Sequence, residues 1–112
     1  MTTRTDTRTE FLTNIFTTAL EGGIGYWSQC SAYQWSTTQR AVITDLDDVE
    51  HTITLDTVAR GLNGLIAGRT EINTPMRRQI SAASRANDAI DLDANHADAI
   101  VQAGLYGRIT WG

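Results

Sequence analysis

The hydrophobic period of this chain changes twice, and that change is what most limits its fold. Phe11, Leu12, Ile15, Phe16, Ala19 and Leu20 recur as one broad helical face. Glu21-Gly22-Gly23 then stops the helix, because glycine takes the left-handed position after a helix end without penalty. A helix is therefore predicted over Glu10–Leu20, behind a loose tail at residues 1–8. From Gly25 to Leu55 the pattern becomes alternation, the signature of half-buried strands. Gly25–Trp35 reads as a first strand, with Trp27, Gln29, Ser31, Tyr33 and Trp35 on one large, aromatic face. Tyr26, Ser28, Cys30, Ala32 and Gln34 share the smaller face. Arg40–Leu46 and Val49–Leu55 follow, the last with Val49, His51, Ile53 and Leu55 on one side. The connections, Ser36-Thr37-Thr38 and Asp47-Asp48, are turn chemistry, so the three strands are expected as an antiparallel meander.

The helical period then returns. Asp56 is placed to cap a helix through Ala67, with Val58, Ala59, Leu62, Leu65 and Ile66 on its apolar side. Gly61 and Gly64 weaken that helix but permit a neighbouring backbone to come close. Thr74-Pro75 is a good helix start, and Met76, Ile80, Ala83, Asn87 and Ile90 mark the face that follows. A last helix is expected over Ala94–Leu105, with Gly104 and Gly107 loosening its end, and Ile109–Trp111 suits a short C-terminal edge strand. The fold class is α+β: an N-terminal helix, a three-stranded meander and three helices, forming one domain over residues 9–112.

Composition excludes several functions. The chain has 112 residues, a formal charge of −4 and nine basic residues, every one of them Arg. Without lysine there is no Schiff base and no Walker-type phosphate loop. Arg and Thr usage of this kind fits a high-GC genome. The acidic balance makes nucleic acid an unlikely partner, and no apolar run is long enough for a membrane span. The N-terminal residues lack the apolar core of a secretory signal. One cysteine, Cys30, rules out an internal disulfide, and its mid-strand position suggests a packed core thiol. These features point to the cytoplasm.

Local motifs carry little chemistry. Asp91-x-Asp93-x-Asn95 starts like a calcium loop, but His96 and Gln102 stand where glycine and glutamate are required. Helix capping by Asp93 or Asn95 is the better reading, with Asp98 complementing the helix dipole. His51 reads as a half-buried strand residue and His96 as an exposed first-turn residue, and their separation gives no local metal pair. No metal or other cofactor is expected. Arg60, Arg69, Arg77, Arg78 and Arg85 cluster in one stretch with only Glu71 for company. Ion pairing to the chain's own acidic segments is the favoured explanation for that cluster, and an anion-holding surface is the alternative.

Three segments stand out: Glu21-Gly22-Gly23-Ile24-Gly25-Tyr26-Trp27, Thr54-Leu55-Asp56-Thr57-Val58-Ala59-Arg60-Gly61, and the run from Asp93 to Gly107. In that order they resemble a family of small, uncharacterised proteins encoded by actinobacterial phages, prophages and plasmids, over most of the chain from Phe11 onward. The resemblance implies a mobile-element source and a role in the cytoplasm of a host cell, and it transfers no catalytic residue. The expected function is a non-enzymatic accessory module that binds a host protein, through Trp27, Tyr33, Trp35, Arg60, Arg77 and Arg78. An aromatic strand face in so short a chain also makes a homo-oligomer plausible. The alternative is a small-molecule or nucleotide site, conceivably enzymatic, gathering Glu21, Tyr26, Arg60, Asp93, His96 and Asp98.

Overall fold

The computed structural model describes residues 4–34 and 39–112. Helix α1 (Asp6–Thr18) runs into a π-helical turn at Ala19–Gly23. Strands β1 (Ser28–Gln34), β2 (Arg40–Asp45) and β3 (Glu50–Thr54) follow, then α2 (Leu55–Ile66), α3 (Thr74–Ala86) and α4 (Ala94–Tyr106). The sheet is an antiparallel meander of order β1-β2-β3. The α+β architecture is the one that the change of period predicts.

Helix α1 starts five residues earlier than its apolar face does. Thr5 accepts a hydrogen bond from Arg8 N–H and caps it. Of the expected tail at residues 1–8, residues 1–3 lie outside the described residues, and the rest makes contacts: Arg4 pairs with Asp56 at 2.6 Å, and Arg8 reaches Ser84 and Asn87 of the α3 end. The cap of α2 also moves from the expected Asp56 to Thr54, whose N–H donates to Thr57 Oγ1. At α3, Asn73 caps ahead of Pro75, and Asn87 closes the helix in the left-handed conformation at φ 50°. Asp93 caps α4 by accepting from the N–H groups of Asn95 and His96.

The core is built from the α1 face of Phe11, Leu12, Ile15 and Phe16, the inward residues Ile43 and Ile53 of the sheet, and Leu62, Leu65, Ile80 and Ile100 of the later helices. Its tightest seam is α2 against α4. A Cβ added at Gly61 would lie 1.8 Å from Ile100 O, and one at Gly104 would lie 2.1 Å from Thr57 O. The two helices therefore cross with backbone almost on backbone. The close approach anticipated from the α2 glycines is met at Gly61. Gly104 is a partner in that crossing, not a residue that loosens the end of α4.

Two expectations for the sheet fail. Ile109–Trp111 forms no strand; it crosses the side of α4 as a strap described below. In β1, a bulge between Cys30 and Ala32 shifts the alternation. Tyr33 pairs with Ala41 and Cys30 with Ile43, so Cys30 and Tyr33 come onto one face instead of opposite ones. That face is the inner one, since Ala41 and Ile43 are buried, yet Cys30 itself is exposed. The expectation of a packed core thiol is thus reversed. The helices cover β2 and β3, whereas β1 is exposed from Gln29 through Tyr33, with the Tyr33 ring resting against Phe16 of α1.

Candidate functional site

Trp27 precedes β1 and is not part of it. It is 0% exposed, which removes it from the expected binding surface. Its ring stacks on Trp111 at 6.3 Å and meets Tyr106 edge-on at 6.0 Å. A buried indole N–H needs an acceptor, and Asp98 Oδ1 supplies it at 2.8 Å.

Asp98 and Gln102 lie one turn apart on α4 and organise the surrounding polar groups. Tyr26 donates its phenol proton to Asp98 Oδ2 at 2.5 Å, and Gln102 Nε2 donates to Asp98 Oδ1 at 2.8 Å. Gln102 is fully buried. Its Oε1 accepts the N–H groups of Thr110 and Trp111, each at 2.8 Å, and its Nε2 donates to Trp111 O at 3.1 Å. One carboxamide thus pairs with the C-terminal segment much as a neighbouring strand would, and it holds Trp111 over Trp27. Burial first, and then the hydrogen bond to Asp98, pushes the Tyr26 phenol up to about 12.

A second network joins this one through Tyr106. Trp111 Nε1 donates to Tyr106 Oη at 3.3 Å, and Tyr106 donates to Asp45 Oδ2 at 2.8 Å. His51 Nε2 lies 2.8 Å from Asp45 Oδ2 and 3.1 Å from Tyr106 Oη. Asp45 Oδ1 accepts the N–H groups of Asp47 and Val49 and so closes the β2–β3 turn. Burial raises the Asp45 carboxyl, but the bonds from His51, Tyr106 and the two backbone amides outweigh it and hold the group well below the usual carboxylate range. Tyr106 is driven up to about 12, by burial above all and then by its bond to Asp45, against the lowering effect of Trp111. Phenols held protonated to that extent act as fixed donors at neutral pH and not as nucleophiles. Both networks are therefore joints that fasten the sheet and the C-terminal strap to α4.

The sign of the Asp45 effect fixes an acid response. A carboxyl with a depressed folded pKa contributes stability above its unfolded value, and that contribution disappears as pH falls through the folded value. Asp93, held low mainly by the His96 N–H, acts in the same direction. Thermal unfolding between about pH 4 and pH 2 should show a steep loss of stability in the wild type and a shallower one in Asp45→Asn. Parallel pH profiles for the two proteins would show that Asp45 does not carry the effect.

The other expected site residues do not converge. His96 is buried at 6% exposure rather than lying on an exposed turn. Its Nδ1 accepts Asp93 N–H at 3.1 Å and its Nε2 is 2.7 Å from Gln79 Oε1, so it joins the start of α4 to α3. Arg60 donates to Gly104 O at the opposite end of α4, about 16 Å from Asp93 at the helical rise per residue. Glu21 is exposed on the π-helical turn. Within that set two separate pairs touch: Asp93 with His96 at the start of α4, and Tyr26 with Asp98, whose bond fastens the strap. A pocket gathering Glu21, Arg60 and Asp93 is not formed.

The Arg cluster does not pair with the acidic segments, contrary to the favoured expectation. Among the described residues, Arg4–Asp56 is the one Arg–carboxylate ion pair. Arg60 and Arg77 instead donate to the carbonyls of Gly104 and Leu65, late in α4 and α2, where a cation complements the helix dipole. Arg78 is exposed on α3. Of the aromatic binding residues, Tyr33 is 40% exposed beside Phe16, and Trp35 lies outside the described residues. No grouping of three or more metal-ligating side chains occurs among the described residues, and no described helix is long and apolar enough to cross a membrane.

No protein-family model, curated protein or solved structure matches the chain.

Proposed function

We propose that the protein is a non-enzymatic binding module that captures an extended segment of a partner protein along the free edge of β1. The observation that carries this reading is the exposure of that strand. From Gln29 to Tyr33 it is exposed, among the described residues it pairs with β2 alone, and its sequence Ser-Gln-Cys-Ser-Ala-Tyr-Gln has no charge and no proline. Natural edge strands are usually protected by such residues or by cover. Here the bulge at Ser31 is the one protective device. An edge of this kind binds by strand addition: main-chain hydrogen bonds supply affinity, and side chains on alternate positions supply selectivity. Exposed Cys30 and the open part of Tyr33, on the inner face, provide that selectivity. The resemblance to small mobile-element proteins points to a host-cell protein as the partner.

The double variant Cys30→Lys/Ala32→Lys puts one charge on each face of the strand. Because both positions are exposed, the thermal midpoint should stay within about 3 °C of wild type. A protein captured from an actinobacterial lysate by the wild type, then purified and titrated, should bind the variant at least about tenfold more weakly, a loss of roughly 1.4 kcal/mol. Equal affinity for both forms would place the docking surface elsewhere.

A further inference from the structure

We infer that the shallow groove between the start of α1 and the end of α3 binds the phosphoryl group of a small phosphorylated ligand, through Arg4, Arg8 and Arg85. The fold brings together two arginines from the N-terminal segment and one from α3, residues that lie far apart in the chain. They line a groove of about 690 Å³, within the range of small-molecule sites and large enough for a nucleotide.

Two of the three charges in this groove have no carboxylate partner among the described residues: Asp56 pairs with Arg4, and neither Arg8 nor Arg85 has an ion pair there. Arg8 is half-buried, and its Nη1 donates to Ser84 O, Ser84 Oγ and Asn87 Oδ1 at 3.0, 3.1 and 2.9 Å. All three acceptors are neutral, and the Nε and Nη2 donors of Arg8 make no hydrogen bond among the described residues. The guanidinium also sits 5.0 Å over the Phe11 ring, which fixes its plane. Arg85 donates to Ser81 Oγ at 3.1 Å and has no carboxylate partner among the described residues. Burial, and then the nearby charge of Arg4, pulls the Arg8 guanidinium below its ordinary value. An anion bridging the three guanidiniums would relieve both penalties.

The lining chemistry selects a phosphoryl group over a plain carboxylate. The unpaired guanidinium donors of Arg8 and Arg85, with Arg4 beside them, can be met by the three terminal oxygens of a phosphoryl group, where a carboxylate offers two. The hydroxyls of Thr5, Ser81 and Ser84 stand along the same groove as further donors. Ile66 adds an apolar wall against which the organic part of such a ligand can rest.

The test is a titration of the ¹⁵N-labelled protein at fixed ionic strength with pyrophosphate, with adenosine monophosphate, and with acetate as a carboxylate control. Pyrophosphate and the nucleotide should give saturable shifts in residues 5–8 and 81–87, and acetate should give none. Tighter binding of the nucleotide identifies an organic phosphate, and tighter binding of pyrophosphate identifies an inorganic one. Arg85→Gln should weaken either by about tenfold or more, the expected loss of a charge-assisted hydrogen bond. Arg85 makes one exposed contact, so that variant keeps its fold even if Arg8→Gln does not. Absence of saturation at millimolar ligand, equal shifts with acetate, or an unchanged affinity in Arg85→Gln would overturn the assignment. A short single-stranded oligonucleotide that binds this groove more tightly than either small ligand would overturn it in favour of nucleic acid.

Discussion

Gly61→Ala should destabilise the protein by at least about 3 kcal/mol, even though alanine is worth up to about 1 kcal/mol more than glycine in a helix interior. The new methyl would sit 1.8 Å from Ile100 O and 2.8 Å from Gly104 N. Both are main-chain atoms, and neither can rotate away. The α2–α4 seam must then open by more than an ångström, and dispersion contacts lose a quarter to a half of their depth at gaps of about 0.5–1 Å. A domain of this size has about 5–15 kcal/mol in total, so the thermal midpoint should fall by about 10–20 °C. Gly64→Ala is the matched control. Its Cβ would meet only Thr70 Oγ1 at 3.3 Å, a side-chain atom that can shift, and the expected change is within about 1 kcal/mol. If the two variants melt alike, the close crossing of α2 and α4 is not what holds the helices together.

Gln102→Leu should cost about 3 kcal/mol despite conserving volume and adding apolar surface. The carboxamide is fully buried, accepts from Thr110 and Trp111, and donates to Asp98 and Trp111. Leucine leaves those backbone groups and one Asp98 lone pair without their partner, and stranding a polar group costs more than an ordinary hydrogen bond contributes. The C-terminal strap should detach. The near-ultraviolet circular dichroism of the stacked Trp27–Trp111 pair would disappear, and tryptophan emission would move to longer wavelength as Trp111 enters water. Gln102→Glu should be damaging for a different reason, because it places a second carboxylate against Asp98. A leucine variant with the wild-type aromatic spectrum would show that the strap does not depend on Gln102.

The helices and the meander are legible because each depends on local periodicity. The α1 face and the alternation of β2 and β3 are written within single segments. What escaped was long-range or out of phase. The alternation drawn through Gly25–Trp35 assumed one unbroken strand, whereas β1 begins at Ser28 and is bulged at Ser31. Trp27 therefore turns into the core, while Cys30 joins Tyr33 on the inner face. The C-terminal strap looked like a strand because its backbone does pair, but its partner is the side chain of Gln102, which no strand pattern can announce. The Gly61–Gly104 crossing involves two helices, and only the Gly61 half was visible in sequence. The Arg4–Arg8–Arg85 groove depends on α1 starting at Asp6, ahead of the apolar face that marks it.

The same contrast applies to the site. His51 is legible as a half-buried strand residue, but Asp45, Tyr106 and Trp111 form a network with it only once the sheet folds onto α4. The resulting networks are fully partnered, since no buried side-chain nitrogen or oxygen among the described residues lacks a hydrogen bond. Polar clusters of that kind fix geometry more readily than they turn over a substrate. The unsatisfied chemistry lies at the surface, along the outer edge of β1 and between the three arginines.

Amide hydrogen exchange across β1, in the free protein and with the purified captured partner, tests the central claim most directly. The β1 amides that point away from β2 should exchange rapidly in the free protein and become protected in the complex, as strand addition requires. Protection confined to the helices, with β1 exchanging as fast as before, would contradict the account.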